Sequence, residues 1–329
     1  MKKNKTAIVV LNWHGGVDTV SCLQSLIGLR ASDFSIFVVD NDSQDDSLSH
    51  IRHWLTNYAR RDDSRFAFND LTSGPPGQDA VQTLGATGQI VLLQAGRNGG
   101  YAAGNNVGLR LAMQAGFEYF WILNNDTEVD PDALAHLITR MTAKPTIGIC
   151  GSTLVYAHDR KRVQARGGAT FIPLKGRGVP IDAFQAVGEP FDATAVEERL
   201  RYVIGASMFV RRAFIEAVGF MAEDYFLYWE EIDWATRGRP AFTLGYAANS
   251  LVYHKVGASI GTSDSGVGSP LSEYYMARGR LKYCLRYSKR SVPFVLFESG
   301  RSIFRWVLKS DWRRVRNLAR AVSGLSYVK

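Results

Sequence analysis

The 329-residue sequence predicts an α/β fold, with a mainly parallel sheet flanked by helices and a basic helical extension at the C-terminus. Three observations lead there. Short, fully apolar runs rich in β-branched residues alternate with stretches of helical spacing up to about residue 150. Polar Asn-, Asp- and Gly-rich clusters close four of those runs, which in a parallel sheet puts them on the edge where ligands bind. Charge is also segregated. Fourteen of the 39 Lys and Arg, but only Glu298 and Asp311 of the 31 acids, lie in 278–329, a net of +12; residues 1–277 keep 25 basic and 29 acidic residues, a net of −4. The overall +8 therefore describes a mildly acidic body with a basic tail.

The elements follow in order. Ile8–Leu11 reads as a buried strand, and Val20, Leu23, Leu26 and Ile27 mark one face of a helix starting near Asp18 or Thr19. Ile36–Val39 is a second buried strand, ending in Asp40-Asn41-Asp42-Ser43, and Leu48, Ile51, Trp54 and Leu55 form the next helical face. Residues 57–88, with Ser73-Gly74-Pro75-Pro76-Gly77, read as an insertion or loop. Ile90–Leu93 and Tyr119–Leu123 are the third and fourth strands, separated by a glycine- and asparagine-rich turn and a helix. Asp130-Pro131 reads as the cap and first turn of another helix. Residues 150–200 show no clear pattern. Beyond them Tyr202–Gly205, Met208–Val210 and Leu251–His254 look like strand, and Ala213–Val218 like helix.

Several classes are excluded. With 46% hydrophobic and 21% charged residues, the chain is neither disordered nor fibrous. Cys22, Cys150 and Cys284 lie too far apart for a zinc ribbon or a disulfide framework, and an odd number of thiols suits a reducing compartment. The apolar run Ala7–Leu11 is too short for a signal peptide, and no stretch approaches a membrane span. The turn after the first strand, Asn12–Gly16, lacks the G-x-G-x-x-G of a dinucleotide site, and no P-loop motif occurs. A nucleotide would then be held by neither of the two commonest phosphate loops, and a nucleotidyl- or dehydrogenase-type α/β protein is the rival enzyme class. Asp40 stands where a strand-end acid accepts hydrogen bonds from a ribose or base. Asp126, after the fourth strand, can hold a divalent metal, and His254, at a distant strand end, can complete its shell. Glu230, Glu231 and Asp233 follow an aromatic run; burial and mutual repulsion there would raise their pKa values and suit one of them to act as general base.

Seven ordered segments extend this reading: IVVLNW (8–13), VVDNDSQDDS (38–47), GRNGGYAAGNNVGL (96–109), ILNNDT (122–127), GASMFVRRAFIEAVG (205–219), FLYWEEIDWATR (226–237) and LVYHKVGAS (251–259). Together they resemble the inverting family-two glycosyltransferases of the GT-A fold, in the rhamnosyltransferase-like branch. The resemblance covers about residues 6–260 and implies a GT-A domain over 1–265. Residues 1–127 would bind the nucleotide sugar, 128–265 would form the acceptor and catalytic half, and 266–329 would be the basic tail. It places Asn12, Asp40, Asp42, Arg97, Asn98, Gly99, Asn105, Asn124 and Asn125 with the donor. Gly205, Ala206, Tyr228 and Trp229 fall with the acceptor, Asp126 and His254 with Mg²⁺ or Mn²⁺, and Glu231 becomes the base, with Glu230 and Asp233 as the other candidates. Two positions depart from the family: Asn124 stands where the metal motif has an acid, and Glu231 where the base is usually Asp. The implied reaction moves a hexose, on this branch rhamnose from dTDP-rhamnose, to a saccharide or lipid-linked saccharide in polysaccharide or cell-envelope assembly. A catalytically inactive, membrane-associated paralogue is the alternative that Asn124 suggests.

In the tail, Phe304, Leu308, Trp312, Val315, Ala319 and Val322 fall on one helical stripe beside a cationic stripe of Arg301, Arg305, Lys309, Arg313, Arg316 and Arg320. That is the pattern of an interfacial helix on anionic lipid. A nucleic-acid arm would not need aromatic residues on a separate face, so no nucleic-acid partner is expected. The expected location is cytoplasmic, peripheral to the inner face of the cell membrane.

Overall fold

The computed structural model describes residues 5–74, 77–172, 175–255 and 268–328, without the side chains of residues 79 and 80. Strands β1 (Thr6–Asn12), β2 (Phe34–Asp40), β4 (Gln89–Gln94) and β5 (Tyr119–Asn124) alternate with helices α1 (Gly16–Ile27), α2 (Ser47–Ala59), α3 (Gln78–Leu84) and α4 (Gly100–Gln114). Strand β3 (Ala67–Leu71) comes between α2 and α3. After β5 come β6 (Thr127–Val129), α5 (Ala133–Ala143), β7 (Ile147–Tyr156), β8 (Val163–Arg166), β9 (Ala169–Ile172), β10 (Arg177–Pro180) and α6 (Ala193–Arg199). The body ends with β11 (Ser207–Arg211), α7 (Arg212–Val218), α8 (Glu230–Gly238) and β12 (Thr243–His254). Three helices follow: α9 (Pro270–Tyr287), α10 (Val292–Leu308) and α11 (Trp312–Val322).

The central sheet runs β3-β4-β2-β1-β5-β11-β7-β12-β6, with β8 paired to β7. Strands β3, β4, β2, β1 and β5 are parallel; β11 enters antiparallel between β5 and β7, and β12 is again parallel to β7. The continuous apolar runs have a simple cause: both faces of these strands are buried. Alternate side chains go to opposite cores. Ile8, Val10, Ile36, Val38, Ile90 and Leu92 meet Leu23 and Leu26 of α1, Ile51 and Leu55 of α2 and Leu134 and Leu137 of α5. Ala7, Val9, Phe37, Val39, Val91 and Leu93 meet Leu109 and Ala112 of α4, Phe214 of α7 and Trp234 of α8.

The structure corrects several sequence expectations. The segment 57–88 is not a plain loop, because β3 joins the sheet edge and α3 covers the core with Leu84. Its strand is half-exposed, so it lacks the apolar run that marks its neighbours. The first helix starts at Gly16, ahead of the expected Asp18 or Thr19. Residues 150–200 hold β7, β8 and the hairpin β9–β10. Tyr202–Gly205 is not a strand but the approach to a turn, with one bridge from Tyr202 to Ala169. Asp130 and Pro131 precede α5 in a turn, where Asp130 Oδ1 accepts from the Asp132 N–H at 2.9 Å.

The C-terminal helices are not a detached tail. Leu281, Tyr283 and Cys284 of α9 and Val295 of α10 form a third core with Tyr225, Trp229 and Ile232. The expected single stripe from Phe304 to Val322 is broken at Lys309–Asp311, where Ser310 takes φ 56° and Asp311 caps α11 by accepting from the Arg314 N–H at 3.1 Å. Helix α11 folds back with Leu318 and Ala321 buried, which leaves Phe304 (63%), Leu308 (71%) and Trp312 (64%) exposed near the turn. The boundary expected at 265/266, and residues 256–259 of the last matching segment, lie outside the described residues.

Candidate active site

The C-terminal ends of β1, β2 and β5 are joined by one buried polar network. Asn12 donates to Asp40 Oδ1 at 2.7 Å and to Ser43 Oγ at 3.2 Å, while its own Oδ1 accepts from Thr19 at 2.8 Å. Asp40 Oδ2 accepts from the Ser43 N–H at 3.0 Å. Asn125 donates to Gly15 O and Thr19 Oγ1 at 3.2 and 3.1 Å. The sequence puts a short polar residue at each strand end, and their hydrogen bonds hold three loops in register.

Above this network is a cavity of about 280 Å³. Of the expected donor residues, Asn98, Asn124 and Asn125 line it. Asn12 and Asp40 do not. Both are fully buried, and Asp40 accepts from Asn12 at Oδ1 and from the Ser43 N–H at Oδ2. Asn105 also lies outside, within α4, where its amide donates to Tyr101 O at 3.0 Å. Arg97, Gly99 and Asp42 are likewise absent from the lining; Asp42 sits in a left-handed turn (φ 58°). Residues not singled out from the sequence take these places: Trp13, Asn41, Tyr101 and Phe226. Asn41 donates to Asn98 Oδ1 at 3.0 Å and to Gly100 O at 3.2 Å, which leaves its buried Oδ1 without a partner. The signal was present, since Trp13 and Asn41 stand next to Asn12 and Asp40. A fully apolar strand does not reveal which of two consecutive polar residues turns up into the cavity.

Asp126 and His254 face each other across this cavity, with Asp126 Oδ1 3.2 Å from His254 Nε2. Gln164 fixes the ring: its Oε1 lies 3.0 Å from Nδ1 and takes the Nδ1 proton. Nε2 then offers its lone pair toward a carboxylate oxygen that is buried and without a hydrogen-bond partner. A proton or a cation must sit between two such acceptors. Burial pushes the Asp126 carboxyl up, but where a proton sits on Nε2 the hydrogen bond and charge of His254, with the nearby Lys255, outweigh it and hold the group below its usual range. The pair fits a divalent cation, because two ligands at about 2.1 Å and roughly right angles stand about 3 Å apart. Among the described residues no third His, Cys, Asp or Glu joins them. Asn124 lines the cavity without adding a charge.

Glu230 and Glu231 open α8. The chain enters that helix through two successive left-handed residues, Tyr228 (φ 65°) and Trp229 (φ 77°), a strained approach held by its surroundings. The Tyr228 hydroxyl lies 3.1 Å from Ser272 Oγ, and the Trp229 indole N–H donates to Met276 O at 3.2 Å. On the other side the Tyr101 N–H donates to Phe226 O at 2.9 Å. Gly100 permits that contact, having φ +87° and a position where a Cβ would lie 2.1 Å from the same oxygen.

Burial raises both carboxyls, Glu230 well above the ordinary range and further so by the charge of Glu231. Backbone amides of Glu231, Gly205 and Trp229 oppose the rise at Glu231. Both carboxyls are raised, and they titrate as a pair in which one negative charge opposes the second. Tyr101 stays protonated beside them: burial and the charge of Glu231 push its hydroxyl well up, and it donates to Gly205 O at 2.6 Å. Gly205 and Ala206 line the same cavity. The third carboxylate is not available for proton transfer. Asp233 is fully buried, receives hydrogen bonds from Arg237 at 2.8 Å, Arg286 at 3.0 Å and Tyr287 at 2.7 Å, and lines neither cavity described here.

Glu231 and Tyr228 also line a second, larger cavity of about 490 Å³, between the body and α9–α11. Trp229 borders only this one, its ring packed on Tyr283 with centroids 5.5 Å apart. The expected acceptor residues are thus divided: Gly205 and Ala206 on the smaller cavity, Trp229 on the larger, Tyr228 on both.

Comparison with known proteins agrees with this architecture. Residues 78–218 match the sequence profile of Glycosyl transferase family 2. The low-salt glycan biosynthesis hexosyltransferase Agl10 of Haloferax volcanii is 28% identical over 155 residues, 46% of each chain, so this chain spans about half the length of that curated relative. Two solved structures share the fold across 97% of this chain. One is the mannosyltransferase PcManGT of Pyrobaculum calidifontis in complex with GDP-Man and Mn²⁺, with a TM-score of 0.53, 14% identity and 74% of that chain covered. The other is S. aureus TarS 1–349, with a TM-score of 0.51, 13% identity and 81% covered. TarS 1–349 has also been solved with UDP-GlcNAc, at a TM-score of 0.50. Residues 78–218 are thus similar to Glycosyl transferase family 2, and the mainly parallel α/β sheet flanked by helices is the fold shared with PcManGT and TarS 1–349.

Proposed function

We propose that the protein is an inverting, metal-assisted glycosyltransferase that moves a hexose from a nucleotide diphospho-sugar to a saccharide or lipid-linked acceptor. One observation carries the reading: the Asp126–His254 pair and the Glu230–Glu231 pair open onto the same cavity. Among the relatives, PcManGT was solved with GDP-Man and Mn²⁺ and TarS with UDP-GlcNAc, which supports a nucleotide-sugar donor and a divalent cation. Rhamnose from dTDP-rhamnose remains the proposed donor on the strength of the motif resemblance. The inactive-paralogue alternative is not favoured, because acid, histidine and base are all present around one cavity.

In the reaction, Trp13, Asn41 and Asn98 bind and orient the nucleoside, with the free Asn41 Oδ1 as an acceptor for a base or ribose donor. Asp126 and His254 hold Mg²⁺ or Mn²⁺, which when bound neutralises charge on the diphosphate. Glu231 takes the proton of an acceptor hydroxyl as its oxygen bonds to the anomeric carbon. The bond from that carbon to the diphosphate oxygen breaks, and its electron pair leaves with the nucleoside diphosphate. Attack from the face opposite the leaving group inverts the anomeric centre. Glu230, raised by burial and by the charge of Glu231, favours a single negative charge on the pair.

A donor panel of UDP-, GDP- and dTDP-sugars, assayed with and without Mn²⁺, tests the reading. Native protein should release nucleotide diphosphate from one donor only with the metal, and Asp126→Ala should lose metal-dependent nucleotide binding. Metal-independent turnover that survives in Asp126→Ala would remove the cation from the mechanism. The proposed membrane attachment rests on Phe304, Leu308 and Trp312, exposed beside Arg301, Arg305, Lys309 and Arg313. No helix among the described residues is long and apolar enough to cross a membrane.

A further inference from the structure

The larger cavity is enclosed by matched helix faces. Glu273, Met276, Ala277 and Arg280 recur at helical spacing on α9, and Glu298, Ser302 and Arg305 on α10. The turn of the β9–β10 hairpin adds Gly176 and Arg177 at the rim. Gly176 is pressed onto α9 and α10, where an added Cβ would lie 2.8 Å from Cys284 Sγ and 3.3 Å from Val295.

The charges in this cavity do not balance. Glu273 is taken by Arg314 at 2.7 Å, and Glu298 by Arg301 at 2.8 Å. Arg177 makes no ion pair among the described residues, and Arg305 reaches Glu273 only at 4.0 Å. Arg280 donates to Lys175 O, but its buried Nε has no partner. Burial disfavours its charge, Cys284 and Glu298 offset this only in part, and the nearby Arg177 adds to it, so the group stays below its ordinary range. Because Asp311 also pairs with Arg314, the three carboxylates Glu273, Glu298 and Asp311 face the five guanidinium groups of Arg177, Arg280, Arg301, Arg305 and Arg314, and this excess of positive charge beside the ionisable Glu231 is the composition of a site awaiting an anion.

We propose that this cavity is the acceptor site and that Arg177, Arg280 and Arg305 clamp a phosphate or diphosphate on the acceptor, leaving its saccharide hydroxyl beside Glu231. This rests on the glycosyltransferase reading above and adds the acceptor's chemical class. Three guanidiniums exceed what one carboxylate needs, and their planar forks match phosphate oxygens. The phosphate comes either from a free sugar phosphate or from the linkage to a lipid.

Calorimetric titration of the full chain in EDTA, which removes metal-dependent binding at the donor cavity, tests the clamp. The probes are glucose 1-phosphate, octyl diphosphate and, as the neutral control, octyl glucoside below its micellar concentration. Native protein should bind at least one phosphate probe tenfold or more tightly than octyl glucoside, with affinity falling as salt rises. A preference for octyl diphosphate points to a lipid-linked acceptor; a preference for glucose 1-phosphate points to a free sugar phosphate. The doubly substituted R177A/R305A protein, altered only at exposed positions, should lose that advantage, and so should Arg280→Ala where circular dichroism shows it folded. Equal binding of octyl glucoside, or full phosphate affinity in R177A/R305A, overturns the proposal. UDP, GDP and dTDP titrations with Mn²⁺ separate the two claims. If a nucleotide binds but the phosphate probes ignore the arginines, only the clamp is wrong; if no nucleotide binds, the glycosyltransferase reading fails as well.

Discussion

Glu230 and Glu231 show how a single residue's environment sets its chemistry. Both come from one acidic dipeptide; burial raises both, backbone hydrogen bonds oppose the rise at both, and at Glu230 the charge of Glu231 adds to it. A carboxyl whose folded pKa exceeds its unfolded value stabilises the fold fully below the unfolded pKa, here 4.5, and loses that contribution as pH rises through the folded value. Glu230→Gln should therefore match native protein in thermal unfolding near pH 4 and melt higher, by about 3 °C or more, at pH 8. Equal melting temperatures at both pH values would mean that Glu230 is not strained by burial. The sequence revealed that carboxylates beside aromatic residues would be perturbed. It could not reveal that Asp233 is excluded, because Arg286 and Tyr287, which capture it, are more than fifty residues away in sequence. Nor does the sequence tell whether a polar residue at a strand end, such as Asn12 or Asp40, turns into the cavity or under it.

At the scale of elements, strongly patterned segments were legible and weakly patterned ones were not. Runs such as Ile36–Val39 had to be strands buried on both faces, and they are. The edge strand β3 buries little, so its sequence carries no hydrophobic signature. The junction of α4 with the 226–229 segment sets the working geometry, since Gly100 lets the start of α4 touch the chain that delivers Glu231. Gly100→Ala would put a methyl 2.1 Å from Phe226 O and force a left-handed φ on alanine. It should cost about 2 kcal/mol or more of stability and lower transfer by misplacing the base, with nucleotide binding less affected. Native-like transfer in a stably folded Gly100→Ala protein would show that this contact does not position Glu231.

For the whole molecule, the asymmetry of charge has gained a second meaning. The basic C-terminal helices are part of the architecture: α9 supplies Ser272 and Met276 to hold the Tyr228–Trp229 segment, and α9–α11 wall the larger cavity. A truncation near residue 298 would open that cavity and would not test membrane binding by itself. Surface substitutions do so cleanly. F304S/L308S/W312S should leave the fold and nucleotide binding intact and reduce co-sedimentation with anionic vesicles several-fold. Unchanged sedimentation would show that this face does not meet lipid. The GT-A architecture was readable in outline from the order of seven motifs, whereas the division into two cavities was not, because it depends on how helices beyond residue 270 fold back onto α8.

The role proposed for Glu231 is to remove the acceptor proton. It is tested most directly by measuring sugar transfer and nucleotide affinity together in native protein and Glu231→Gln. The substitution should keep nucleotide binding and lower transfer by about a hundredfold or more, and native kcat/KM should fall on acidification at a pH above the ordinary 4.5 of a glutamate. Transfer at the native rate in Glu231→Gln, with the same pH profile, would contradict it.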